Sequence, residues 1–116
     1  MSLYRDRAVV LRTWKLGEAD RIISLLTHEH GKVRGVAKGV RRTKSKFGAR
    51  LEPLSHVAVQ LYRGRGDLDT VTQVETLDRF ATLRADPDRF ARAEAMLEAV
   101  DNVAQDREPD RALHVM

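Results

Sequence analysis

Five short stretches in which apolar residues recur at every second position, separated by glycine-bearing turns, restrict this chain to a small β structure. Residues 7–14 carry the run Ala8-Val9-Val10-Leu11, continued by Arg12, Thr13 and Trp14, and read as a strand. Residues 21–28 are ambiguous by periodicity, since a short apolar run also fits a buried helix. Their length, the flanking turns and the pair Ile22-Ile23 favour a strand. Residues 32–40 place Lys32, Arg34, Val36, Lys38 and Val40 on one strand face, and Val33, Gly35, Ala37 and Gly39 on the other. The second face is small, as needed where strands crowd inside a narrow barrel, and its glycines permit the bending that closure requires. In residues 57–64, Val57, Val59 and Leu61 alternate with Ala58, Gln60 and Tyr62, and residues 68–77 supply a returning strand rich in Val and Thr. Glu29-His30-Gly31 and Gly64-Arg65-Gly66-Asp67 mark reversals. Five strands at nearly even spacing predict a small closed barrel.

The period then changes. Asp86 is placed to cap a helix and Pro87 to begin it. Beyond them Phe90, Ala93, Met96, Leu97, Val100, Val103 and Ala104 recur three and four apart. This predicts an amphipathic helix over 87–105, packed on the barrel by its apolar face. Glu108-Pro109-Asp110 breaks that helix, and the uncapped apolar ending Ala112-Leu113-His114-Val115-Met116 suggests a helical region that continues in the parent protein. The expected organisation is α+β, with a barrel domain over 1–80 and the start of a helical domain over 81–116. At 116 residues the chain suits one domain, or one domain and a piece of a second.

Charge adds a functional expectation. The stretch 31–51 holds Lys32, Arg34, Lys38, Arg41, Arg42, Lys44, Lys46 and Arg50 and no Asp or Glu. Like charges so concentrated repel one another and weaken a fold, a cost offset when a polyanion binds. Small residues between them let a backbone approach closely. A solvated loop is the simpler reading, but the interleaving favours a nucleic-acid contact surface, with these eight side chains as phosphate contacts. The net charge is +4, yet from Asp78 onward six arginines face nine carboxylates, a balance of −3. The basic character therefore belongs to the first two-thirds, as expected of two units with different partners. Phe47 is the one aromatic residue in the basic stretch, so stacking on bases is expected to be minor and binding salt-sensitive and nearly sequence-blind. Trp14, Tyr4 and Tyr62 could stack on bases or pack at the barrel rim.

Catalysis has little to build on. The absence of cysteine removes disulfides, zinc–thiolate sites and thiol nucleophiles. No phosphate-binding loop signature and no nucleophile-elbow pattern occur. His28-Glu29-His30 offers two histidines at a turn, short of the three or four convergent ligands that zinc takes. No enzyme activity, cofactor or metal is expected. The N-terminus lacks a signal-peptide pattern and no apolar run could span a bilayer, which fits a cytoplasmic protein.

Glu18 to Asp20, Thr27 to Gly31, Ala37-Lys38-Gly39-Val40-Arg41, Ser45 and Leu51-Glu52-Pro53 form an ordered series. In that order and spacing the chain resembles the N-terminal part of the RecO family of bacterial recombination mediators, over about residues 4–80. The resemblance implies an OB-fold followed by a helical domain. It implies binding of single- and double-stranded DNA, annealing of complementary strands, and loading of RecA onto strands covered by the single-strand-binding protein, together with RecR. It also implies a nucleoid-associated location. Family members are about twice this length, and many carry a cysteine zinc module in the half that this chain lacks. Two other readings of the residues stay open. One is an RNA-binding barrel of the translation apparatus, the other a protein–protein adaptor working through the helix 87–105.

Overall fold

A computed structural model describes residues 2–38 and 48–104. Five strands, β1 (Leu3–Leu16), β2 (Asp20–Thr27), β3 (Lys32–Ala37), β4 (His56–Tyr62) and β5 (Leu68–Asp78), close a barrel in the order β1-β2-β3-β5-β4. All pairings are antiparallel except β3 with β5, which run parallel. This is the five-stranded OB-fold arrangement. Residues 21–28, ambiguous by periodicity, lie largely in β2.

β1 is longer than the predicted 7–14, because it serves two partners. Leu3 to Val9 pair with β4, and Ala8 to Leu16 pair with β2. The register shifts between Val10 and Arg12, and the bulge bends the strand so that it can close both sides of the barrel. Ala8, Val10, Ile23, Leu25, Val33, Ala37, Val57, Val59, Leu61 and Val71 fill the interior. Gly35 has the role its alternation foretold. A Cβ there would sit 2.9 Å from Val71 Cγ2 and 3.2 Å from Leu61 Cδ2, so only glycine fits without displacing stiff β-branched packing.

Two polar devices fix the barrel ends. Buried Asp69 accepts hydrogen bonds from the Tyr4 hydroxyl and from the Gly64 amide, the latter at 3.0 Å, and so holds β5 to β1 and to the β4–β5 connection. Asp6 accepts from the Glu29 amide at 2.9 Å and pairs with His30 Nδ1 at 2.7 Å. These contacts tie β1 to the β2–β3 turn, where Gly31 takes φ 67°.

Two helices follow. A short α1 (Ala81–Arg84), unforeseen in the sequence, precedes α2 (Pro87–Val103). Asp86 caps α2, accepting the Arg89 amide at 3.2 Å. Arg84 fastens this region to the barrel. Its guanidinium donates to the Pro53 carbonyl at 2.8 Å and to the Ser55 hydroxyl at 3.1 Å, and it lies 5.2 Å from the Phe90 ring centre. The predicted apolar stripe of α2 is only partly covered. Phe90, Ala93, Leu97 and Val100 are half-buried, whereas Met96 and Val103 are 69% and 66% exposed. The one buried residue of α2 is a charged one, Asp101.

Candidate nucleic-acid interface

Strand alternation sends Val33, Gly35 and Ala37 of β3 inward, so Lys32, Arg34, Val36 and Lys38 face outward. The registers extend this outer face across neighbouring strands. Arg12, Ser24, Arg34 and Leu68 form one cross-strand row, and Trp14, Ile22, Val36 and Thr70 form the next. Residues opposite one another in a ladder share a face. Arg12 and Trp14, two apart on β1, therefore join the cationic face of β3. The Arg12 guanidinium carbon lies 5.5 Å from the Trp14 ring centre, within cation–π range. The sequence gives Arg12 and Trp14 as strand residues, but only the pairing of β1 with β2 and β2 with β3 shows that they share a surface with Arg34. At the β1–β2 turn end Lys15 pairs with Arg21, which pairs with Ala37 beside Lys38.

The predicted phosphate contacts have different fates. Lys38 is exposed in the turn just past the end of β3. Arg34 is half-buried, and its Nε is buried without a hydrogen-bond partner among the described residues. Such a donor is costly unless an acceptor reaches it. Arg50, in a short 3-10 turn (Gly48–Leu51), is exposed and donates to the Val74 carbonyl of β5 at 3.3 Å. Arg41, Arg42, Lys44 and Lys46 lie outside the described residues.

Lys32 departs from expectation. It is 6% exposed, not an open surface cation. Its ammonium donates to the Asp101 carbonyl at 2.8 Å and lies 3.7 Å from Asp101 Oδ1. The physical reason is α2, which lays its C-terminal end over this part of the outer face. Asp101 gathers two further groups there. The Ser24 hydroxyl donates to its carboxylate, and Arg12 Nη1 lies 3.7 Å from Oδ2. Neither Ser24 nor Asp101 carries a sequence signal for this contact.

This surface offers guanidinium and ammonium donors, one partly exposed indole and small apolar spacers. Donors of that kind can hold phosphate oxygens. No group of three or more potential metal ligands occurs among the described residues, and no described helix is long and apolar enough to cross a membrane. Residues 1–80, the whole barrel, match the model described as the N-terminal domain of recombination protein O. The chain belongs to that family of recombination proteins.

Proposed function

We propose that this chain binds single- and double-stranded DNA through the outer face of β1, β2 and β3 and the basic stretch that follows β3. In this reading Arg34, Lys38, Arg41, Arg42, Lys44, Lys46 and Arg50 contact phosphates, with Arg12 beside them. Neutralising two polyanions on one cationic surface lets complementary strands approach, so the same contacts promote annealing. Membership in the recombination protein O family supports a role in recombinational DNA repair, and with it RecA loading in concert with RecR and the single-strand-binding protein. In this reading the barrel over 1–80 is the DNA-binding unit, and helices α1 and α2 belong to a second unit.

The observation that carries this reading is the combination of an acid-free basic stretch with a half-buried Arg34 whose Nε has no acceptor among the described residues. A phosphate beside β3 would meet Lys38 and the outer nitrogens of Arg34 together. The test is fluorescence anisotropy with labelled DNA oligonucleotides. Lys38→Glu combined with Arg42→Glu should abolish binding and leave the melting temperature of the barrel unchanged. Unchanged affinity would remove this surface from the reading. RNA of the same sequence in a parallel titration separates a preference for DNA from one for the 2′-hydroxyl.

A further inference from the structure

The contact between Asp101 and the barrel is unusual in its chemistry. A helix that docks for stability alone presses apolar side chains onto its partner. Here α2 only half-buries Phe90, Ala93, Leu97 and Val100, leaves Met96 and Val103 exposed, and has a carboxylate as its most enclosed side chain. The groups around that carboxylate are a hydroxyl donor from β2, an ammonium from β3 and a guanidinium from β1. The side chains of Lys32 and Asp101 are 8% and 9% exposed, whereas Arg12 remains 47% exposed. Arg34 stands beside Ser24 across the β2–β3 ladder. A hydroxyl with two or three cationic donors converging on two oxygens is also what a phosphodiester takes, through its two non-bridging oxygens.

We propose that Arg12, Ser24 and Lys32 form a concealed anion site, and that the Asp101 carboxylate occupies it in place of a phosphodiester of a nucleic-acid strand. The inference rests on the nucleic-acid reading above and adds a site to it. Helix α2 and the strand compete for one set of donors. Closed, the helix shields Lys32 and neutralises the middle of the cationic face. Open, the face gains Lys32 and Ser24 and recovers all of Arg12. The exchange is balanced enough to be reversible, because a buried ion pair loses in desolvation about what it gains in attraction. A phosphate replacing the carboxylate restores the Ser24 hydrogen bond and both ion pairs, and gives Lys32 an acceptor in place of the Asp101 main-chain carbonyl. The fraction of molecules with the helix open then scales the apparent affinity.

The test uses the whole 116-residue chain and a fluorescein-labelled oligothymidine. Asp101→Asn should bind about tenfold more tightly than the unaltered chain, since a neutral amide gives up the ion pairs with Lys32 and Arg12 that hold the helix closed. Its log–log salt slope should steepen by about 0.7–1.4, the increment for one or two more phosphates on a single strand. Adding Ser24→Ala and Lys32→Met to Asp101→Asn should remove the gain. Glu98→Gln, which deletes an exposed charge on the same helix, should leave affinity unchanged. Equal affinity for Asp101→Asn and the unaltered chain overturns the proposal, and so does an equal gain for Glu98→Gln. Should Asp101→Asn not fold, hydrogen exchange on the unaltered chain decides. The α2 amides of residues 97–103 should exchange faster with oligothymidine bound, and unchanged or slower exchange overturns the proposal. The underlying reading fails separately, when the unaltered chain shows no binding that Lys38→Glu with Arg42→Glu removes.

Discussion

Asp6 shows how much one side chain can hold in a small barrel. Its carboxylate is 4% exposed and joins β1 to the β2–β3 turn through the Glu29 amide and His30. Burial pushes its pKa up. Hydrogen bonds from His30, from the Glu29 and Arg7 amides, and the charge of His30 outweigh burial and hold it below the ordinary 3.8. A depressed pKa means that the unfolded chain takes up its proton first. The stabilisation is therefore complete above about 3.8 and is lost as pH falls through the lower folded value. Thermal melts between about pH 6 and about pH 3 should show stability declining at the acid end, and Asp6→Asn should flatten that decline. A decline of the same steepness in the variant would place its origin elsewhere. Lys32 teaches a different lesson at this scale. Alternation puts it on the outer face of β3, but its partner Asp101 lies 69 residues away, so its burial could not be read from its own neighbourhood.

Among the elements, β3 and α2 make the sharpest contrast. The alternation of small and cationic residues in 32–37 settles which face of β3 lines the barrel, and Gly35 explains why that face must be small. The strand ends of the sequence reading are less faithful. β1 runs from Leu3 to Leu16 because its polar first turn of alternation, Tyr4-Arg5-Asp6-Arg7, pairs with β4, and composition gives no hint of a second partner. Helix α2 begins where Asp86 and Pro87 place it. Replacing Asp86 by Ala should remove the bond to the Arg89 amide and cost about 1 kcal/mol. The check is a lower midpoint in the helical circular-dichroism signal. An unchanged midpoint would mean that the α2 start is held by Arg84 and Phe90 rather than by its cap. The face by which α2 docks was legible in its apolar stripe, where Phe90, Ala93, Leu97 and Val100 lie half-buried, but a stripe does not show how much of it a barrel will cover or that Asp101 is buried beside it.

For the molecule as a whole, the proposed DNA binding is gauged by the number of phosphates the protein would neutralise. About five contacts on a single strand give a log–log salt slope near −3.5, at roughly −0.7 per phosphate. Titrations across a salt series measure that slope, and a flat response would exclude phosphate neutralisation as the source of affinity. A slope much shallower than this at low salt, steepening in Asp101→Asn, is the signature of a helix that shares the face with its ligand. The chain's two periodicities, its helix cap, its narrow-barrel glycine and its acid-free strip are local patterns, and the sequence alone determined a β-barrel with a cationic outer face followed by a helix. Which strands adjoin, that Arg12 and Trp14 lie beside Arg34, and that Asp101 lies over Lys32 were decided only by the tertiary structure. Alternation fixes a side chain's direction within its own strand, whereas what covers it depends on chain segments that meet only when the barrel closes.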